Sequence, residues 1–164
     1  MEKQFLNRIR AEIDLGAAEK NFTALKGFLY DDFTKPACVI KADGYGHGDL
    51  PLMTLYQKLG ADFFCVSNTE EALRLRNGGC NGDILILGWS SPEDADVLSE
   101  NNIIVTLVSV ENALAFSEKA SKPVRVHIKL DTGMGRVGLD ASDTEHCASD
   151  IAKIAVLPNI SAEG

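Results

Sequence analysis

The sequence lacks the features that mark membrane proteins, exported proteins and nucleic-acid-binding proteins. Across its 164 residues no run approaches the roughly 18 consecutive apolar residues of a membrane span, and residues 1–10 hold no apolar segment of signal-peptide length. The chain has 16 basic residues against 24 acidic ones, and its net charge of −8 repels nucleic acid and anionic lipid. We therefore expect a cytoplasmic protein with neither a membrane nor a nucleic acid as a partner.

Paired cysteines and metal-binding motifs are also missing from the sequence. The cysteines are Cys38, Cys65, Cys80 and Cys147, and they are widely spaced with no CxxC pair. Two of them lie in apolar runs, as small hydrophobic residues do. There is no HExxH motif of the kind that binds zinc. The pattern predicts reduced thiols and no metal site.

What the sequence does contain is a regular alternation of two kinds of segment. With 45% hydrophobic residues, the chain has enough apolar side chains for the core of one domain. Short apolar runs rich in β-branched residues predict buried strands at residues 37–40, 63–66, 84–87, 103–108 and 124–130. Between them, apolar residues at helical spacing predict amphipathic helices at residues 17–29, 49–59, 69–76, 91–99, 110–119 and 143–157.

Alternating strands and helices favour a parallel sheet, because parallel neighbours need a crossover connection. The periodicity leaves two closures open, a doubly wound open sheet and a (β/α)8 TIM-type barrel. Residues 159–162 have the pattern of the start of a sixth strand. Since an eight-unit barrel needs about 250 residues, we expect a barrel here to hold only about its first five to six βα units. Residues 1–164 would then be the N-terminal part of a ligand-binding barrel.

The segment VIKADGYGHG, residues 39–48, places a lysine directly after a predicted buried strand and before a glycine-rich turn. In parallel α/β folds the carboxyl ends of the strands face the ligand site, so Lys41 is expected at its mouth. An amine partly shielded from water there can form a Schiff base with a carbonyl compound. The glycines let the backbone approach a phosphate, and Tyr45 can donate a hydrogen bond to it.

The residues of this segment also have ordinary interpretations. Lysines at strand ends are common, and Lys41 could be a surface lysine with a half-buried stem before an ordinary turn. His47 could relay protons or bind a metal, but no second ligand lies at a suitable spacing, so a polar turn residue is the favoured interpretation. The residue pattern by itself leaves the role of Lys41 open.

A second segment, HIKLDTGMGRVG at residues 127–138, contains a literal GxGxxG motif. It matches a dinucleotide-binding loop only weakly, because a polar stretch rather than a helix follows Gly138. Arg136 is better interpreted as a ligand for an anion or an oxygen atom, since its guanidinium is a rigid fork of donors. The alternative is a surface arginine paired with Asp131 or Asp140.

Lys129 in the same segment needs an explanation of its own. It lies in a run predicted to be a buried strand, on the same side as His127. An unpaired ammonium group is costly to bury, so we expect Lys129 to be neutral, paired or chemically modified.

Taken together, three segments resemble the N-terminal signatures of alanine racemases: RAEIDL at residues 10–15, KADGYGHG at residues 41–48, and residues 129–138. KADGYGHG is the most specific, because many contiguous positions match in a strand-then-turn context. The resemblance implies a fold-type III pyridoxal-phosphate enzyme: a (β/α)8 barrel that binds the cofactor, then a C-terminal β domain, in a homodimer. It also implies an isomerase that interconverts L-alanine and D-alanine and so supplies D-alanine for cell-wall peptidoglycan.

The resemblance implies roles for particular residues. Lys41 matches the lysine that binds pyridoxal phosphate as an imine and exchanges the α-proton on one face of the substrate. Tyr45 matches the tyrosine that hydrogen-bonds the cofactor phosphate, Arg136 the arginine near the phenolic oxygen of the cofactor, and Leu87 an apolar residue of the cofactor pocket. Lys129 matches a lysine that is often carbamylated in this family, and a carbamate is an anion able to pair with Arg136.

The resemblance also implies parts that these 164 residues do not contain. They include further cofactor ligands and the tyrosine that acts as the second base across the dimer, so we expect the chain alone to be inactive. Other hypotheses stay open. They are a racemase for serine or another small amino acid, a decarboxylase of the same fold type, and a non-catalytic partial barrel that associates with itself through open sheet edges.

Overall fold

The structure is a computed structural model that describes residues 11–31 and 33–164, so Arg10 of the RAEIDL segment lies outside the described residues. The strands are β1 (Ala37–Val39), β2 (Phe63–Val66), β3 (Asp83–Ile86), β4 (Ile103–Leu107), β5 (Val124–Ile128), β6 (Leu130–Asp131), β7 (Leu139–Asp140) and β8 (Ile160–Ala162). Six of them form one sheet, and β6 and β7 form a separate two-stranded ladder. In chain order, each strand of the six-stranded sheet follows a helix, as the alternating pattern predicts.

The helical segments are α1 (Leu15–Lys26), α2 (Lys41–Gly46), α3 (Asp49–Lys58), α4 (Thr69–Asn77), α5 (Ala95–Glu100), α6 (Val110–Lys119) and α7 (Thr144–Ala155). Of these, α2 is a single turn in which residues 42–45 have left-handed backbone. The predicted helix at residues 91–99 is in two parts, because Pro92 begins a 3-10 turn that Ser91 caps by accepting a hydrogen bond from the Glu93 N–H. The first helix ends at Lys26, three residues earlier than predicted. Within the described ranges, no helix has the length and apolar character needed to cross a membrane.

The order of the strands decides between the two closures. They follow one another as β1-β2-β3-β4-β5-β8, and each is parallel to its neighbour. A doubly wound sheet would reverse this order at a switch point, whereas continuous winding in one direction is the topology of a (β/α)8 barrel. The described chain therefore forms the first six strands of such a barrel, and the prediction of a partial barrel with five to six units is confirmed.

Two apolar layers lie on the two faces of the sheet, since successive side chains of a strand point to opposite faces. The helix-covered face carries the main core, which includes Phe64, Ile84, Ile103, Val126 and, from α6, Phe116. The other face carries a small cluster of Cys65, Leu85 and Ile104, which are in register across β2, β3 and β4. This second cluster is the inner layer of the partial barrel, and it forms the floor beneath the strand ends.

The predicted strand at residues 124–130 is wrong at its carboxyl end, because β5 stops two residues earlier. The chain leaves the six-stranded sheet at Lys129. The Lys129 N–H still donates to the Leu107 carbonyl of β4 at 2.9 Å, while the Lys129 carbonyl accepts from the Leu139 N–H of β7 at 2.8 Å. The return of the chain requires Gly138, whose φ is +125° and where a Cβ atom would lie 2.8 Å from the Lys129 oxygen. The loop between β6 and β7 is thereby lifted out of the sheet.

Candidate active site

A cavity of about 630 Å³ opens at the carboxyl ends of the strands, and its volume is within the range of small-molecule sites. One row of its lining comes from neighbouring strand ends: Lys41, Ser67, Leu87, Thr106 and His127. Thr106 and His127 are register partners in β4 and β5, and the row continues across the sheet toward β1. The loop between β6 and β7 closes the other side with Met134, Arg136 and Val137. This is the edge at which sites of parallel α/β folds occur.

The family resemblance gives roles to five residues. Four of them line this cavity, namely Lys41, Leu87, Lys129 and Arg136. Tyr45 does not line it: the side chain is 60% exposed on the turn that follows Lys41. His47 lies on the same turn, and its Nδ1 is 3.0 Å from the Gly44 carbonyl oxygen, where it can donate in the tautomer protonated at Nδ1. This contact lies within the turn and agrees with the interpretation of His47 as a polar turn residue.

The turn after Lys41 is left-handed, which the glycine pattern did not predict. Ala42, Asp43, Gly44 and Tyr45 have φ between 51° and 61°, so three L residues adopt a conformation that favours glycine. Hydrogen bonds hold the turn, from the Gly44 N–H to the Ile40 carbonyl and from the Gly48 N–H to the Asp43 carbonyl, both at 2.9 Å. Strained backbone of this kind persists where the surroundings fix it, and it is typical of functional sites.

Glu71 in α4 is the main site residue that the sequence pattern missed. Its Oε1 accepts a hydrogen bond from the Ala42 N–H, and its Oε2 accepts from both the N–H and the hydroxyl of Ser67, all at 2.8 Å. Burial raises the pKa of the Glu71 carboxyl, but the hydrogen bonds from Ser67 and Ala42 outweigh burial, so the pKa lies below its ordinary value. Glu71 is therefore a carboxylate at neutral pH.

A local signal for Glu71 was present in the sequence. Asn68 caps α4 by accepting from the Glu71 N–H at 2.9 Å, so Asn68 and Glu71 have the spacing of a capping box. In a capping box the glutamate reaches back to the N–H of the cap residue. Here it reaches one residue further, to Ser67, and from there across to the turn of Lys41. The capping pattern indicates the first contact, and only the fold shows the second.

The GxGxxG loop is organised around its own carboxylate. Asp131 Oδ1 accepts hydrogen bonds from the N–H groups of Gly133 and Gly135, each at 3.0 Å, and these bonds lower the pKa of Asp131. The loop joins the two short strands β6 and β7 rather than a strand and a helix. Because two of the three glycine N–H groups are already engaged and β7, not a helix, follows directly, the loop does not have the form of a dinucleotide-binding turn.

Lys129 lines the cavity but is exposed to solvent. The predicted burial of Lys129 is therefore wrong, because the chain leaves the sheet at this residue, and burial no longer requires its amine to be neutral, paired or modified. Carbamylation of Lys129 rests on the family resemblance and stays a prediction. Arg136 is exposed as well, and within the described residues neither Asp131 nor Asp140 pairs with it; Asp140 instead accepts from the Ser142 N–H at 2.9 Å.

Comparison with known protein families gives a match over nearly the whole chain. Residues 13–164 match the family model described as alanine racemase, N-terminal domain. The chain is 40% identical over 157 residues to an alanine racemase of Desulfovibrio desulfuricans and 35% identical over 157 residues to one of Symbiobacterium thermophilum. These matches cover 94% of this chain but 41% and 40% of the two relatives. The chain thus spans about two fifths of the length of the curated relatives it matches.

Solved structures agree with the sequence match. The chain is similar to the alanine racemase of Clostridium difficile 630 in complex with cycloserine, with a TM-score of 0.89, 32% identity, and coverage of 98% of this chain and 44% of that one. It is also similar, at 26% identity and a TM-score of 0.77, to a histidine racemase from Leuconostoc mesenteroides, with coverage of 88% and 39%. The partial barrel is thus part of a fold that occurs in racemases named for different amino acids.

Proposed function

Because the chain belongs to the alanine racemase family, whose N-terminal domain it matches, we propose that it is the cofactor-lysine part of a pyridoxal-phosphate-dependent amino-acid racemase. The observation that supports this most directly is the position of Lys41. Its side chain lies at the carboxyl end of β1, in a cavity shared with the cations of Lys129 and Arg136. That position is the one in which a barrel enzyme holds a reactive group.

The lining of the cavity fits a ligand with an aldehyde, a flat ring and a phosphate. In a chain of net charge −8, three basic side chains converge on this cavity. Asp131 is the only acidic side chain of the lining in the described part of the chain, and its Oδ1 is engaged by loop N–H groups. An amine for the aldehyde, cations for negative charge and apolar Leu87 for a ring surface form a donor set that suits pyridoxal phosphate.

When bound, pyridoxal phosphate acts as an electron sink that makes the α-proton of an amino acid removable. In our proposal, Lys41 holds the cofactor through Nζ and moves a proton to or from the substrate α-carbon on one face. Tyr45 donates a hydrogen bond to the phosphate, and Arg136 donates to the phenolic oxygen. Leu87 keeps water from one side of the ring. Lys129, if carbamylated, places an anion beside Arg136.

For the whole protein we infer an alanine racemase, with serine as the next substrate to compare. Inversion at the α-carbon needs a second proton-transfer group on the opposite face. We assign this group to a part of the homodimer that lies outside the two fifths of the relatives' length that this chain matches. A cytoplasmic location and a role in supplying D-alanine to peptidoglycan belong to the same proposal. A substrate panel of alanine, serine and histidine on the full-length protein distinguishes these substrates by their relative kcat/KM values.

Reductive labelling tests the role of Lys41. The chain is incubated with pyridoxal phosphate and cyanoborohydride, and the labelled lysines are identified by peptide mass. We expect Lys41 to be labelled faster than exposed lysines such as Lys122, and Lys41→Ala to lose only that label. Lys122→Ala is the matched control. Equal labelling of all lysines, with no preference for Lys41, would refute the assignment.

A non-catalytic, self-associating partial barrel is the second candidate function. It is favoured by the two sheet edges: within the described residues, β1 pairs only with β2, and β8 only with β5. Unpaired strand edges promote association. Chromatography with light scattering separates the candidates, because a monomer at all concentrations argues against association, whereas a concentration-dependent dimer supports it.

A further inference from the structure

We propose that Glu71 is a positioning residue for Lys41: its carboxylate fixes the peptide after Lys41 and so holds the amine toward the cavity. This inference rests on the proposed function, because it assigns to Glu71 a part in the reactivity of the cofactor lysine. Glu71 itself does not line the cavity. It acts through the backbone, and its contacts with Ala42 and Ser67 carry the argument.

The first step is the place where the ladder between β1 and β2 ends. The Ile40 N–H donates to the Cys65 carbonyl at 3.0 Å, and the regular parallel pattern would next pair the N–H of Ala42 with β2. Instead, Ala42 adopts φ of 51°, and the chain turns away from β2. The Ala42 N–H donates to Glu71 Oε1. A side-chain carboxylate has therefore taken the place of the next strand carbonyl.

The second step concerns the geometry that this hydrogen bond controls. The peptide unit between Lys41 and Ala42 is planar, so fixing the Ala42 N–H also fixes the Lys41 carbonyl in the same plane. The backbone torsion of Lys41 next to that plane sets the direction of its side chain relative to the sheet. Because Ala42, Asp43 and Tyr45 are L residues in the left-handed region, the turn needs such an external restraint to persist.

The third step is the double attachment of the carboxylate. Its other oxygen accepts two hydrogen bonds from Ser67, which lines the cavity at the end of β2 beside Lys41. Glu71 thus ties two neighbouring strand ends together with one charged group. Hydrogen bonds to an ionised acceptor are about twice as strong as neutral ones. A neutral amide cannot replace it fully, since its NH2 group would face an N–H donor.

Two substitutions in one helical turn test this role. Glu71→Gln removes the charge and one acceptor, while Glu70→Gln removes the same charge from the exposed neighbouring position of α4. The 164-residue chain is labelled with pyridoxal phosphate and cyanoborohydride, and the rate at Lys41 is divided by the rate at exposed Lys122. We expect this ratio to fall about tenfold in Glu71→Gln and to stay within twofold of the native value in Glu70→Gln.

Hydrogen exchange supplies a readout that does not depend on the cofactor. The Ala42 amide is expected to exchange about tenfold faster in Glu71→Gln than in Glu70→Gln, while amides of the central strands β3 and β4 stay unchanged. A merely structural role would instead raise exchange throughout the sheet. It would also increase, not lower, access of the reagent to Lys41.

The outcomes separate the two proposals. If native Lys41 shows no preferred labelling, the proposed function fails, and the exchange of the Ala42 amide still reports whether Glu71 holds the turn. If Lys41 is labelled equally fast in the native chain and in folded Glu71→Gln, the positioning role is refuted. Should Glu71→Gln not fold, Ser67→Ala removes one of the three hydrogen bonds, and an unchanged labelling ratio in that variant also overturns the proposal.

Discussion

The two ends of the parallel sheet use their charged residues in opposite ways. At the amino end, the Arg76 guanidinium donates to the carbonyls of Cys80, Gly82, Asn101 and Asn102, which precede β3 and β4. Near the amino end of β5, Arg125 binds Asp83 and Glu163, each at 2.7 Å. Both guanidinium groups form hydrogen bonds or ion pairs within the chain, so they stabilise the fold.

At the carboxyl end, the side chains of Lys41 and Arg136 make no hydrogen bond or ion pair with the part of the chain that the structure describes, although both line the cavity. The charged groups with several internal partners at this end are carboxylates: Asp131 holds its own loop, and Glu71 restrains the backbone next to Lys41. In barrel enzymes the carboxyl end carries function and the amino end carries stability. The difference between the two ends therefore indicates the end of the sheet at which a ligand is expected.

Catalysis by the chain alone is the strongest test of this division. If Lys41 is the only proton-transfer group at the cavity, the chain can exchange the α-proton of alanine on one face but cannot invert the centre. We expect racemisation to be slower than in an intact racemase by more than the 10²–10⁴-fold that one acid-base group typically contributes. Incubation with L-alanine and pyridoxal phosphate in deuterated water separates the two steps, since exchange with retention reports Lys41 alone.

Lys41→Ala is the control for that measurement, and it should also abolish the slow exchange. Efficient formation of D-alanine by the native chain would contradict the expectation. It would show that a second proton donor is present in the chain and that the carboxyl end is catalytically complete.

Arg76→Ala tests the amino end, where the effect should be on folding. Four carbonyl groups lose their donor, and we expect the free energy of unfolding to fall by about 2–4 kcal/mol. Arg76→Lys should recover only part of this, because one ammonium group cannot span four carbonyls. Denaturant unfolding followed by circular dichroism measures the change, and Lys122→Ala, at an exposed ion pair with Glu100, is the control. Preferred labelling of Lys41 should survive in folded Arg76→Ala.

Arg125→Met tests the same end through its pH dependence. Hydrogen bonds from Arg125 lower the pKa of both Asp83 and Glu163. A carboxyl group with a depressed pKa in the folded state stabilises the fold above its unfolded pKa of about 4, and this contribution is lost as pH falls. Native stability should therefore exceed that of Arg125→Met by about 1–2 kcal/mol at pH 7, a value limited by solvent screening, and the difference should shrink below about pH 4. A difference that does not change with pH would show that packing, not charge, is responsible.

The sequence predicts the sheet of this molecule well, because buried parallel strands have a strong local signature. Short β-branched runs place β1 to β5 within one or two residues, and the pattern at residues 159–162 identifies β8. The choice between a doubly wound sheet and a barrel could not be made locally, since both have the same alternation. It depends on strand order, which is a property of the complete sheet.

The site is less predictable where distant residues decide the backbone conformation. Glycines at positions 44, 46 and 48 indicate a turn, but the left-handed conformation of Ala42 depends on Glu71, 29 residues away. The end of β5 also depends on a distant residue. The alternation of apolar residues continues through Leu130, but the Lys129 carbonyl accepts a hydrogen bond from the Leu139 N–H and not from a strand of the main sheet. In both places a hydrogen bond formed only in the folded chain overrides the local pattern, and both lie at the cavity.

Tyr45→Phe is the smallest expected effect and the one that separates function from stability most sharply. Tyr45 is 60% exposed on the turn of Lys41, so loss of its hydroxyl should leave the free energy of unfolding unchanged. If the hydroxyl donates to the cofactor phosphate, affinity for pyridoxal phosphate should weaken by about 0.5–1.5 kcal/mol, while labelling of Lys41 still proceeds. An absorbance titration measures the affinity, and Tyr30→Phe, at another exposed tyrosine, is the control. Unchanged affinity would remove Tyr45 from the phosphate site, whereas a loss of stability would mean that the carboxyl end also contributes to the fold through this side chain.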